Sequence, residues 1–279
     1  MTLTSTTTLH APSAVEATPN KLPKRAALVS FVGSMLEYYD FFIYGTAAAL
    51  IFPKVFFANV DPSTGTLLAL LSFGIGYIAR PVGAVILGHF GDRIGRKAAL
   101  IATLLITGIA TFAVGLVPTY ESIGIWGAVL LTVIRFIQGV GVGGEWGGSV
   151  LLAMEWARTN KHRGFITSWP QFGGPAGLLL ANLAVFVFSA WSGDQFLVWG
   201  WRIPFLLSIV MVAIGLYIRL GILETPAFRR IVAEERVERV PVLEVIKRQP
   251  REIILSACAR MAEQAPAYIY LAFVFAYGT

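Results

Sequence analysis

Seven ionisable side chains stand inside otherwise apolar runs of this 279-residue chain: Glu37 and Asp40, Arg80, Arg135 and Glu145, and Arg260 and Glu263. Charged groups at membrane depth are costly, and by default they mark solute or proton routes. Arginine stays protonated at any relevant pH. Four carboxylates set against three guanidiniums leave one carboxylate without a fixed counter-charge. Such a group can take up and release a proton, so the chemistry implied is proton-coupled movement and not bond making. Glu37, Asp40, Phe41 and Tyr44 follow i, i+3, i+4, i+7 spacing and share one helix face. Arg135, Gln138 and Val142 form a matching stripe. If the stripes face each other, Asp40 sits near Arg135 beside a central cavity. The plainer alternative is a buried ion pair that only fixes helix packing. Arg80, next to Pro81, suits a pairing role as well as a substrate role, and Glu145, in a glycine-rich stretch, suits a structural network. Tyr44, Gln138, Gln171, Arg260 and Glu263 are candidate cavity walls, although a buried amide joining two helices explains Gln171 equally well.

Other chemistries find little support. His10, His89 and His162 have no metal-ligand spacing, and no cofactor is expected. The glycine runs follow no strand, which argues against a dinucleotide or P-loop site. Cys258 is the one cysteine, so it can form no disulfide within the chain. A membrane-embedded enzyme would need a nucleophile and base, or a metal set, at one depth, and the intramembrane groups offer neither.

These residues need helices to hold them. The chain is 56% hydrophobic and 14% charged, against about 45–50% and about 25% in ordinary globular domains. Seven hydrophobic segments of spanning length are expected, near residues 26–51, 66–89, 98–117, 125–156, 165–190, 204–222 and 253–277. All are too long for barrel strands. Most of the 22 Lys and Arg residues gather on one side. Lys21, Lys24 and Arg25 precede the first segment, Arg93, Arg96 and Lys97 follow the second, and Arg158, Lys161 and Arg163 follow the fourth. Eight more lie between Arg219 and Arg251. The positive-inside rule makes that side, and the N-terminus, cytoplasmic. The net charge of +6 is thus a product of topology and no sign of a nucleic-acid partner. Residues 1–24 read as a disordered cytoplasmic tail, 25–222 as a six-helix bundle, 223–252 as a charged cytoplasmic connector, and 253–279 as a seventh helix. An odd span count suggests one bundle of a longer transporter plus the first helix of the next. Glycines at 139, 141, 143, 144, 147 and 148, and at 173, 174 and 177, suit close helix packing better than a rocking hinge.

The stretch Gly88-His89-Phe90-Gly91-Asp92-Arg93-Ile94-Gly95-Arg96-Lys97 resembles the signature between the second and third helices of the major facilitator superfamily. Its glycines permit a tight turn, Asp92 can pair at a helix end, and the basic groups can bind acids and helix C-termini. Arg135-x-x-Gln138-Gly139, Gly143-Gly144-Glu145, Tyr39-Asp40 with Tyr44-Gly45, Trp199-Gly200-Trp201-Arg202-Ile203-Pro204-Phe205 and Glu224-Thr225-Pro226-Ala227-Phe228 narrow it to its metabolite:proton symporters, and within them to the shikimate-transporter-like branch. The resemblance implies an all-α, polytopic twelve-helix fold of two six-helix bundles working by alternating access. It implies proton coupling at Asp40 and Arg135, with Glu37 beside them. It also implies a cytoplasmic gate of Gly88, Gly91, Asp92, Arg93, Gly95, Arg96 and Lys97, with Glu155 and Arg163 as charge partners.

The function expected is symport of protons with a small organic acid or zwitterion by a monomer in the inner cell membrane. Arg135 and Arg260 favour a carboxylate-bearing solute. An uncoupled facilitator or antiporter of the same fold competes with this reading, as does a non-transporting membrane sensor or scaffold.

Overall fold

The computed structural model describes residues 22–156, 160–221 and 248–277. The expected tail, through residue 21, and most of the connector lie outside the described residues. Ten α-helices are described: α1 Leu22–Leu50, α2 Phe52–Val55, α3 Pro62–Ile94, α4 Arg96–Leu116, α5 Tyr120–Ile123, α6 Trp126–Trp156, α7 Asn160–Ser192, α8 Arg202–Leu206, α9 Ser208–Leu220 and α10 Pro250–Tyr277. A 3-10 turn, Gly193–Gln195, and a π turn, Phe196–Gly200, join α7 to α8. No strand occurs among the described residues.

Among the described residues five stretches are long and apolar enough to cross a membrane: Pro62–Ile94, Arg96–Leu116, Trp126–Met154, Gly164–Gly200 and Arg202–Leu220. α1, with 29 residues, and α10, with 28, are also of spanning length. They carry Glu37 and Asp40 in α1 and Arg260 in α10.

Helix ends are set locally. Asp61 caps α3 by accepting a 2.9 Å hydrogen bond from the Thr64 backbone N–H, with Pro62 in the first turn. Hydrogen bonding from Thr64 also holds the Asp61 carboxyl below its usual range. At the other end α3 runs on to Ile94, so residues expected to form a loop are helical. A single residue, Gly95, turns the chain into α4, at φ 115°, where a side chain would be strained. Arg202 donates to the carbonyls of Gly115 (2.8 Å) and Val117 (3.0 Å), satisfying the end of α4. Beside it the buried rings of Phe52, Phe56, Trp201 and Phe205 pack edge to face and stacked, with centroids 5.4–6.1 Å apart.

The bundle is drawn together by glycine. α3 lies on α6, and α1 lies on α7. A Cβ at Gly83 of α3 would stand 1.9 Å from the Val140 carbonyl oxygen of α6, and one at Gly143 of α6 would stand 2.2 Å from that of Arg80. Gly139 meets the Gly76 carbonyl at 2.4 Å in the same way. On the other flank Gly173 and Gly177 of α7 sit against the backbone of α1 at Met35 and Tyr39. Backbone touches backbone at these crossings, the packing that small residues allow between membrane helices.

Two alanine substitutions separate this packing from general glycine intolerance. Gly83→Ala forces the α3–α6 crossing apart and is expected to cost about 1–3 kcal/mol or more. Gly74→Ala, with no atom within 4 Å of the added methyl, should be neutral or gain about 0.5–1 kcal/mol from reduced chain entropy. Thermal unfolding in detergent reads both.

Candidate functional site

Arg135 of α6 stands at the centre of the bundle, 2% exposed. Its guanidinium donates to the side-chain oxygen of Gln138, one turn on along the same helix. Gln138 in turn donates to the Thr111 hydroxyl of α4 (2.7 Å) and reaches the Asp40 carbonyl of α1 at 3.5 Å. Aromatic faces surround the rest of the cation. The guanidinium carbon lies 4.3 Å from the ring centre of Tyr44, 4.8 Å from Phe73 and 5.1 Å from Phe41. Cation–π contacts of this kind gain strength when desolvated. Tyr44 is fixed by a 3.0 Å hydroxyl contact with Ser72 of α3. Gly76 makes the space, since a Cβ there would come within 2.6 Å of the Arg135 Nε.

Asp40 shares this interior, next to Thr111, and Glu37 lies one turn away on α1. The two stripes do meet, as their spacing suggested. They do not form the expected ion pair, because Gln138 and the rings occupy the positions around the guanidinium. Instead the Asp40 Oδ1, Glu37 Oε2, Ser34 Oγ and Arg135 Nε are buried without a hydrogen-bond partner among the described residues. Buried polar groups normally find partners, and leaving one unpaired costs free energy.

A second buried charge pair lies in the same bundle and is fully bonded. Glu145 of α6 forms an ion pair with Arg219 of α9, and both are nearly inaccessible. Thr103 of α4 donates to Glu145, Ser149 reaches it at 3.3 Å, and Arg219 also donates to the Leu100 carbonyl. Gly33 of α1 leaves the space for that guanidinium. The network joins α4, α6 and α9 around the spot where α1 passes. For Glu145 this is the structural network its surroundings suggested. The sequence counts Arg219 with the cytoplasmic charges at the end of the sixth segment, because it ends an apolar run. Its i−4 and i−7 neighbours Gly215 and Val212 lie on the same buried face, a periodicity that could have revealed it.

At the α3–α4 junction, Asp92 and Arg96 pair at 2.8 Å, and Lys97 donates to the Leu220 carbonyl at 2.9 Å, capping α9. Gly91 faces the Ala99 methyl, Gly88 has open space, and Arg93 is exposed. The side chains of Glu155, Arg163 and Glu263 lie outside the described residues. Gln171 is exposed on α7, and Arg260 is half-buried on α10. Arg80, left open between two roles, is half-buried on α3 with its guanidinium 4.5 Å from the Phe41 ring centre and 4.9 Å from that of Tyr77.

An all-helical membrane bundle with buried charges at its core and a glycine-turned basic junction between two spans is the build of a major-facilitator solute carrier. Residues 26–257 match the "Sugar (and other) transporter" family, and the chain belongs to that family. It is 41% identical over 95% of its length to the inner membrane metabolite transport protein YhjE of Escherichia coli K12, of which it covers 60%. It is 45% identical over 92% of its length to the shikimate transporter of the same organism, covering 59% of that protein. The chain therefore spans less than two thirds of the length of either relative. In structure it resembles the partially occluded, inward-open xylose transporter XylE of E. coli, with a TM-score of 0.64 and 21% identity over 77% of this chain and 51% of that one. The family is one of membrane transporters and not of enzymes.

Breaking the Glu145–Arg219 pair from one side leaves a buried uncompensated charge. Glu145→Gln or Arg219→Met alone should lose about 3–5 kcal/mol, and the double variant should recover most of it. Thermal unfolding in detergent of the three variants checks this, and single variants as stable as the wild type would show that the pair contributes nothing.

Proposed function

We propose that this chain belongs to a secondary active transporter that moves a small organic acid or zwitterion together with protons by alternating access. The observation that carries the reading is the pairing left unmade. Asp40 and Arg135 are buried in one interior, one hydrogen-bonded neighbour apart, and Asp40 keeps an oxygen without a partner. A carboxylate so placed can gain a proton without first breaking an ion pair. Its charge state then decides how much field Arg135 feels. Protonation of Asp40 removes the nearby negative charge and frees the guanidinium to engage an anionic solute. Glu37 stands as a second acceptor on the same helix face.

The remaining assignments follow from this frame. Residues 25–222 form the six-helix bundle, and 253–279 belong to a seventh helix beyond the 223–252 connector. The basic α3–α4 junction lies on the cytoplasmic side, with the N-terminus, and Gly91, Asp92, Arg93, Gly95, Arg96 and Lys97 act as a gate. Two contacts support this, since the Asp92–Arg96 pair holds the junction together, Lys97 ties it to the end of α9 at Leu220, and both can be exchanged during a conformational cycle. Names among the relatives, shikimate and proline or betaine transporters, make carboxylate-bearing solutes the first to screen.

The test is uptake by the intact protein in proteoliposomes. Shikimate, dicarboxylates, citrate, proline and betaine are offered with and without an inward proton gradient. Accumulation that collapses with a protonophore is expected for at least one solute. Asp40→Asn should abolish accumulation while preserving exchange of solute across the membrane. Undiminished uphill uptake by that variant would remove Asp40 from coupling. Uptake that ignores the gradient would assign uncoupled facilitation instead.

A further inference from the structure

Arg80 differs from the other buried or half-buried arginines whose bonding is described. Arg135 donates to Gln138, Arg202 to two backbone carbonyls, and Arg219 to Glu145 and the Leu100 carbonyl. The guanidinium of Arg80 meets only ring faces, those of Phe41 and Tyr77. It has no ion pair or hydrogen bond among the described residues, although it lies in the middle of a spanning helix and is half-buried. The two rings meet each other edge to face, 5.3 Å between centroids, and the guanidinium rests against both with its five N–H donors uncommitted among the described residues. A planar fork held in this way matches a carboxylate, which it can grip through two parallel hydrogen bonds.

The surroundings favour an anion there. Arg80 and Arg135 share the Phe41 ring and act on one another electrostatically. Two guanidiniums in a low-dielectric interior repel, and an anion between them offsets the repulsion. The titratable and charged groups facing them are Glu37, Asp40 and Tyr44 on α1, Tyr77 on α3, Glu145 on α6 and Arg219 on α9. Of these acids, Glu145 is already committed to Arg219. Glu37 and Asp40 balance the two cations only while both are ionised, so each proton they take leaves positive charge for an anionic solute to offset.

We propose that Arg80 is the carboxylate anchor of the solute site, gripping one carboxylate of an organic acid beside the Phe41 and Tyr77 rings while Arg135 faces the remainder of the solute. This rests on the transport reading given above. It assigns the site a solute class, an acid whose carboxylate is required and whose body tolerates an aromatic wall.

The experiment measures ligand binding to the intact protein in detergent, by the concentration dependence of thermal protection. Shikimate, succinate and benzoate are each compared with the corresponding neutral amide. At least one carboxylate should bind the wild type about 10- to 100-fold more tightly than its amide, the effect expected of a charge-assisted, two-pronged contact. Arg80→Gln should weaken that carboxylate by a similar factor, leave the amide unchanged and so erase the discrimination. A residue that merely supported packing would weaken both alike. Arg80→Lys keeps the charge without the fork, should lose part of the discrimination, and serves if the Gln variant does not fold. Discrimination retained in Arg80→Gln, or in Arg80→Lys at the full wild-type factor, overturns the anchor while leaving transport standing. A wild type that binds no carboxylate overturns both.

Discussion

Burying a guanidinium without a matching anion governs how this bundle is built. An arginine cannot shed its proton to escape a low dielectric, so the protein must build an environment for it. Around Arg135 that environment is made of an amide, three aromatic faces and missing side chains. Gln138 takes one donor and passes the hydrogen bond on to Thr111 of α4. Phe41, Tyr44 and Phe73 supply ring electrons from α1 and α3. Gly76 supplies space. The contributions come from α1, α3, α4 and α6, so the position of one cation requires four helices to sit at the right depth and distance. The glycine crossings at Gly83, Gly139 and Gly143 bring α3 close enough to α6 for its rings to reach the cation.

The two buried charge systems differ in kind. Glu145 and Arg219 are saturated: the acid accepts from Thr103 and Ser149 as well as from its partner, and the arginine also holds a backbone carbonyl. Such a set has one good arrangement, and disturbing it leaves a charge exposed to hydrocarbon. Glu37, Asp40, Arg80 and Arg135 form the opposite case. Their polar atoms are partly unpartnered or rest on rings, interactions that tolerate sliding and rotation. A saturated network resists change, whereas an undersaturated one can be shifted by a proton or a carboxylate. The bundle holds both, with the rigid set joining α4, α6 and α9 and the responsive set spread over α1, α3 and α6.

Much of this was legible in the residues alone. Long apolar runs, basic junctions and glycine spacing specify a helical membrane bundle because lipid forces each span to satisfy its own backbone. The Glu37–Asp40–Phe41–Tyr44 stripe does meet the Arg135–Gln138 stripe, since helical period fixes which residues share a face. What failed were details that depend on neighbours. Opposite charges on facing stripes suggested an ion pair, but nothing in the sequence shows that Gln138 and three rings fill the space around the cation. Arg219 counts with the cytoplasmic charges because it ends an apolar run, and its burial depends on a gap left by Gly33 of another helix. The basic junction looked like a loop because of its glycines and charges, yet all but Gly95 of its turn is helix.

The unpaired state of Asp40 and Arg135 also bears on how such a site can work repeatedly. Had the two been joined in a bidentate pair, each cycle would have to break a buried salt bridge, at a cost of several kcal/mol before any solute bound. Here Gln138 accepts from the guanidinium and donates towards the backbone carbonyl of Asp40, so the Asp40 carboxyl can change charge without a direct ion pair being broken. The same logic applies to the rings. A cation resting on Phe41, Tyr44 and Phe73 gives up a diffuse attraction when it moves, not a directed bond. The site is thus held in place by packing and kept ready by incomplete bonding. Both properties trace to the same choice of neighbours, small residues where helices cross and flat or amphoteric ones where the charges lie.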